Sequence, residues 1–120
     1  MAVLREVDGI PVIEVRGEVD LVNVHEFEAL LHEAAEKDAG AVIVSLEGAT
    51  YFDSAMIHRL LIFRRQLSVN RQTFVLIKPT LQAAQRLLVI TGLTGKHEMC
   101  SSLDEGLAMA SQAVLERSQS

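Results

Sequence analysis

Few side chains in this sequence combine in type and spacing to do chemistry, and the pair that comes nearest is Asp53-Ser54. Apolar residues follow it at Met56, Ile57, Leu60, Leu61, Phe63 and Leu67, a spacing that predicts a helix opening at the pair. A helix N-terminus leaves backbone N–H groups unpaired and carries the positive end of the dipole, so negative charge is favoured there. Such a place can hold a phosphate, including one attached covalently to Ser54. Asp and Ser are also the preferred N-cap residues, and capping alone accounts for the pair.

The other candidates carry less. His25 and His32 are seven apart on a predicted helix and share a face, but no further ligand falls at a recognisable metal-site spacing, so no metal residue is assigned. Gly92-Leu93-Thr94-Gly95-Lys96 looks like a phosphate loop. It fails on spacing, lacks a Ser or Thr after the Lys, and follows a predicted helix where a strand is needed. Cys100 is the sole cysteine, which excludes an internal disulfide, and a lone cysteine near a strand packs as a small hydrophobe. There is no G-x-S-x-G, H-E-x-x-H, C-x-x-C or dinucleotide glycine pattern, and no nucleophile with a base beside it. No catalytic residue and no cofactor is therefore named, and the reading is of a protein that is not an enzyme.

Bulk composition narrows the class. At 120 residues the expected organisation is one domain spanning 1–120, with its core at about 3–115. Half the residues are hydrophobic but only 4% aromatic, so the core must be built from Leu, Val, Ile and Ala. Lys and Arg total 11 against 16 Asp and Glu, a net charge of −5 that argues against nucleic acid as a partner. No apolar run approaches the ~20 residues that span a bilayer, and the first residues lack the charged-then-apolar plan of a secretion signal. The expected location is the cytoplasm.

The elements that must position Asp53-Ser54 can be read in order. Val3–Val7 is a strand. Asp8-Gly9 is a hairpin turn, because both residues tolerate positive φ. Ile10–Arg16 returns antiparallel, with Pro11 marking an edge-like end, and Gly17–Asp20 ends it. Asn23 followed by Glu26 resembles a capping box for a helix from Val24 to Asp38. That helix shows a stripe of Phe27, Leu30, Leu31, Ala34 and Ala35, with Gly40 in the place of a C′ glycine. Ala41–Leu46 is a buried strand broken by Gly48-Ala49-Thr50, and Tyr51-Phe52 is a second short apolar patch.

The helix opening at Asp53-Ser54 carries Leu60, Leu61, Ile62 and Phe63 in a row, more arc than one buried stripe needs. Either it is buried in a crowded fold or part of it is an exposed patch reserved for a partner. Arg64-Arg65 suit the negative dipole end at its close. A strand at Gln72–Ile77, a helix at Leu81–Ile90 with Leu81, Ala84, Leu87 and Leu88 inward, and a short strand at Glu98–Cys100 follow. Ser102 and Glu105 then form a capping box for a last helix over Leu103–Leu115, with Ser118–Ser120 fraying. Alternation after the hairpin implies right-handed crossovers. The fold class is α/β, with a mostly parallel mixed sheet of four or five strands and about four helices.

This layout resembles the STAS domain, and in particular the free-standing bacterial anti-sigma-factor antagonists. The residues that carry the resemblance are Gly17–Asp20 after the second strand, the Val42–Leu46 strand, Tyr51–Ser54 opening a helix, Thr91-Gly92-Leu93, and Ser102–Glu105. The resemblance covers about Val3 to Leu115. It implies a binding partner that is an anti-sigma factor and Ser/Thr kinase, or a related regulatory protein, with phosphorylation at the start of the second helix and a phosphatase that reverses it. The partner-binding residues it implies are Asp20, Asn23, Asp53, Ser54, Ala55, Met56, Ile57, His58 and Leu61, with Ser54 the phosphorylation candidate. The family usually reads Asp-Ser-Ser/Thr-Gly-Leu here, whereas this chain reads Asp53-Ser54-Ala55-Met56-Ile57. Ala55 cannot accept phosphate, and Met56 adds bulk where a Gly leaves room for close approach. Either Ser54 takes over as acceptor or the partner is bound without that control.

Three other readings stay open. One is a STAS scaffold without a phospho-switch, as a subunit of a transporter or a sensory complex. Another is a small-molecule or nucleotide-binding protein using the crevice at the strand C-termini. The last is a redox sensor through Cys100.

Overall fold

The computed structural model describes residues 2–20, 22–91 and 99–119, with side chains described as far as residue 86 in the second stretch. Five strands and four helices alternate as β1 (Ala2–Val7), β2 (Ile10–Val19), α1 (Val24–Glu36), β3 (Ala41–Phe52), α2 (Ser54–Val69), β4 (Thr73–Ile77), α3 (Gln82–Thr91), β5 (Met99–Cys100) and α4 (Leu103–Gln119). The α/β class, the hairpin and the alternation are as expected from the sequence.

The sheet order is β1-β2-β3-β4-β5, antiparallel between β1 and β2 and parallel elsewhere. Because each parallel strand is laid down beside its predecessor in one direction, right-handed crossovers put every connecting helix on one face. There Phe27 and Leu31 of α1, Met56, Leu60, Phe63 and Leu67 of α2, and Ala84 of α3 pack on Ile13, Val15, Val42, Val44, Leu46, Phe74 and Leu76. The rings of Phe63 and Phe74 meet edge to face at 6.1 Å. Among the described residues the opposite face has α4 alone, with Ala110 and Cys100 against Val12, Ile43, Val75 and Ile77. Towards β1 this second face is open. Arg5 pairs there with Glu14 at 2.6 Å, and Arg16 lies 3.7 Å from the same carboxylate.

Several local expectations change on inspection. Asp8 (φ 53) and Gly9 (φ 80) make the hairpin turn as foreseen. Pro11 lies opposite Glu6, one position before pairing with β3 begins at Val12, so its missing N–H costs that ladder nothing. Neither β2 nor β3 stops where the sequence suggested. β2 runs on through Gly17 (φ 75) to Val19, and β3 runs unbroken through Gly48-Ala49-Thr50 to Phe52. The register passes from Glu14↔Ser45 to Arg16↔Gly48, and from Gly17↔Ala49 to Glu18↔Tyr51, so β3 carries one extra residue at each step. Each bulge places two exposed residues between buried ones, at Glu47-Gly48 and at Thr50-Tyr51. The period-two signal is lost there although the strand continues.

Asn23 forms no capping box. The left-handed residue beyond α1 is Asp38 (φ 49), and Gly40 (φ 99) serves the entry to β3. α2 continues to Val69, so Arg64 and Arg65 lie more than a turn before its end, which Asn70 holds by donating Nδ2–H to the Gln66 carbonyl at 3.0 Å. Leu81 is 47% exposed, not inward. Glu98 and the Gly92–Lys96 stretch lie outside the described residues, as do the side chains of Leu87 and Leu88. Ser102 Oγ accepts from Glu105 N–H at 3.2 Å, and the Glu105 carboxylate reaches back to Ser101 N–H, so the α4 box forms one residue wide of the standard pattern. α4 then runs to Gln119, past the expected fraying point.

Gly17 is the residue that lets β2 pass the bulge in a left-handed conformation. Nothing lies within 4 Å of a Cβ built there, so the cost of Gly17→Ala is conformational alone. Urea unfolding should show a loss of about 1–2 kcal/mol for this change, against a near-neutral Glu18→Ala.

Candidate functional site

The extended pairing of β2 with β3 brings two segments together at the C-terminal end of the sheet. Val19 lies beside Phe52, and Asp53 N–H donates to the Val19 carbonyl at 3.3 Å. The Asp20–Asn23 loop and the start of α2 are therefore neighbours.

Each segment is pinned by short polar side chains. Asp53 is extended (φ −100, ψ −178) and caps α2, its Oδ1 accepting from Ala55 N–H at 3.0 Å and Met56 N–H at 3.3 Å. The capping expectation holds, and Asp53 is the capping member of the pair. Ser54 is left at the first helical position, where it is exposed. In the loop, Asp20 Oδ1 accepts from Val22 N–H at 2.9 Å, Asn23 Oδ1 accepts from Asp20 N–H at 3.0 Å, and Asn23 Nδ2 donates to the Glu18 carbonyl at 3.0 Å. Asn23 thus closes the loop back onto β2. This is the competing local hydrogen bonding that Asn offers a backbone, and it explains the missing capping box.

The structure divides the expected docking residues. Asp20, Asn23, Asp53, Ser54, Ala55 and His58 reach the surface at this end, wholly or in part, and Leu61 is half-buried against the core. Met56 is fully buried and Ile57 is 4% exposed. Both side chains point inward, because the cap at Asp53 sets the helix phase so that 56, 60, 63 and 67 form the core stripe. The Met56 bulk that was expected at the surface is in the core. Of the four consecutive apolar residues, Leu60 and Phe63 are buried, Leu61 is partly so, and Ile62 is 38% exposed. One residue points outward, which falls between the two alternatives.

Sequence reasoning missed two residues here. Val22 is 90% exposed at the tip of the pinned loop, and Arg59 lies beside the start of α2, its Nε 3.0 Å from Glu28 Oε2 of α1. Val22 had a signal, since an apolar residue inside a turn has no strand or helix face to bury it. Arg59 had none, because its partner is thirty-one positions away (59 − 28). A hollow of about 400 Å³ at this end is lined by Asp53, Ser54, Ala55, His58 and Arg59.

Chemically, the site presents a hydroxyl more than it activates one. The Asp53 carboxylate is committed to helix N–H groups, so it is poorly placed to act as a base on Ser54. Among the described residues no group of three His, Cys, Asp or Glu could hold a metal ion, and no helix is long and apolar enough to cross a membrane. Cys100 is buried, with Sγ 3.5 Å from the Ser102 carbonyl and 3.7 Å from that of Leu76. Burial pushes its thiol pKa up, the Ser102 backbone opposes the rise, and Glu105 and Glu47 add to it. A redox sensor needs an accessible thiol with a lowered pKa, so the redox reading loses its support.

The family model for the STAS domain matches residues 1–106. Among solved structures, an anti-sigma factor antagonist from Mycobacterium paratuberculosis superposes with a TM-score of 0.83 at 21% identity, covering 92% of this chain and 93% of that one. The Bacillus cell fate determinant SpoIIAA in its phosphorylated form gives 0.70 at 22%, covering 90% and 96%. The murine anion transporter Slc26a9 gives 0.73 at 12%, covering 90% of this chain and 18% of the transporter. No curated protein sequence matches.

Two measurements test these placements. Asp53→Ala should lower stability by about 1 kcal/mol through loss of the cap, whereas Ser54→Ala should stay within about 0.5 kcal/mol as an exposed substitution. For Cys100, the unfolded thiol titrates near the ordinary value of 9.0 and the folded one higher, so above about pH 9 the unfolded state has lost a proton that the folded state keeps. Stability should be unaffected by this group below that pH and fall as pH rises towards the folded pKa. Urea midpoints across the alkaline range should show a decline that Cys100→Ala makes shallower.

Proposed function

The chain belongs to the STAS-domain family, and from that premise we propose that it is a non-enzymatic regulatory binding module of the anti-sigma-factor-antagonist kind. In this reading it works in the cytoplasm and docks an anti-sigma factor, or a related regulatory protein, through the Asp20–Asn23 loop and the start of α2. Ser54 is the control point. A partner kinase using ATP phosphorylates it, and a phosphatase resets it. Transfer forms an Oγ–P bond at Ser54 and breaks the bond from the γ-phosphorus to its bridging oxygen. ADP leaves, and the hydroxyl proton passes to a base on the kinase. Hydrolysis of the ester restores the serine.

The observation that carries this reading is the exposed Ser54 hydroxyl at the first position of α2, with Asp53 already satisfying the cap. Phosphorylation changes the local charge by about −2. The helix N-terminus accommodates that charge, but a partner surface matched to a neutral hydroxyl does not, and the Asp53 carboxylate adds to the like-charge repulsion.

A second reading rests on Ala55, which removes the usual acceptor, and on the fold match to one part of a transporter. It is a STAS scaffold without a switch. Intact-mass analysis after incubation with anti-sigma-type kinases and ATP separates the two. The antagonist reading expects a single phosphate gained by the wild type and absent from Ser54→Ala, with at least tenfold weaker partner binding by the phosphorylated form. No gain with any such kinase, alongside retained binding, would establish the scaffold instead.

A further inference from the structure

We infer that Arg59 is the internal receptor for a phosphate on Ser54, held in position by Glu28. This rests on the phospho-switch reading of Ser54 above and names the residues that would regulate it. Two observations on two helices support it. Ser54 and Arg59 line the same hollow of about 400 Å³, with His58 also on its wall. A helix turns about 100° per residue, so Arg59, five positions beyond Ser54, stands about 140° round from it, and its long side chain reaches the shared hollow from the flank by leaning towards the helix N-terminus. Glu28 of α1 lies 3.0 Å from Arg59 Nε, which fixes that guanidinium from the side away from its own helix.

The ion pair does not consume the guanidinium. The Arg59 side chain keeps 35% of its surface in solvent and that of Glu28 keeps 30%. An exposed ion pair of this kind contributes little stability, so its geometric effect matters more than its energy. Guanidinium has five N–H donors and matches a phosphate in bidentate fashion, and a phosphate dianion is a stronger partner than one carboxylate. Of the titratable groups at this end, Asp53 on α2 and Asp20 on the neighbouring loop oppose a phosphate, Arg59 favours it, His58 lines the same hollow, and Glu28 acts through Arg59. Phosphorylation would then alter the docking surface twice. It adds an anion where a hydroxyl stood, and it withdraws a cation that an acidic partner group could have used.

The test places phosphoserine at position 54 of the full chain during translation, by suppression of an amber codon, so that no kinase is needed. The phosphate is titrated by ³¹P NMR, with the same chain in urea as reference and the dispersed amide spectrum as fold control. The second phosphate pKa, ordinarily about 6, should lie about half a unit or more below the urea value. Arg59→Gln should return most of that shift, Arg59→Lys should keep part of it, and Glu28→Gln should reduce it without abolishing it. An unchanged pKa in Arg59→Gln, or a shift lost only in His58→Gln, would overturn the assignment. Failure of the kinase assay would remove the switch reading and leave this titration untouched. Failure of the titration would remove only the role of Arg59.

Discussion

The parallel seam between β2 and β3 is the constraint on which the rest depends. It starts at Val12↔Ile43 and, after two bulges, still holds at Val19↔Phe52. Had either strand ended at its first glycine, the loop after β2 and the start of α2 would leave the sheet at different heights. The bulges instead absorb two extra residues of β3 and keep the strand ends level, so that Asp53 N–H finds the Val19 carbonyl. Bulges commonly re-aim strands beside functional sites. Here their effect is to bring the loop after β2 beside the first turn of α2.

The fold was largely legible and the site only in part, for physical reasons. Element type follows from helical periodicity at Phe27–Ala35 and from short apolar runs bounded by turn signals at Ile10–Arg16 and Ala41–Leu46. The Asp8-Gly9 turn and the Asp53 cap follow from local stereochemistry. What failed was long-range or competitive. Gly48 reads as a breaker until β2 is laid beside it. Asn23 reads as a cap until the Glu18 carbonyl and Asp20 N–H compete for its amide. The motif groups Met56 and Ile57 with surface residues, whereas the packing of α2 buries both. Successive helix positions turn by about 100°, and only the packing of α2 on the sheet fixes which of them face the core.

That packing also bears on how the site can behave. Met56 and Ile57 follow Ser54 almost directly and are locked into the core, while Asp53 before it is tied to Ala55 and Met56 N–H groups. The serine therefore stands on a segment fixed on both sides. A charge introduced there has little backbone movement available to relieve it, so its effect falls on neighbouring side chains or on whatever is docked. The same arrangement would present an unmodified serine from one backbone geometry, which favours recognition by a rigid partner.

The uncovered side of the hairpin has a different consequence. β1 is an edge strand, and the open face beside it carries Arg5, Glu14 and Arg16 in a linked group of charges. Laying another sheet on that face, or extending the sheet from that edge, would strip water from three ionised side chains. Charged residues on edges are a recognised guard against strand addition. The cost of that desolvation falls on this side of the molecule, whereas the pole with Val22 and the start of α2 exposes apolar surface at Val22.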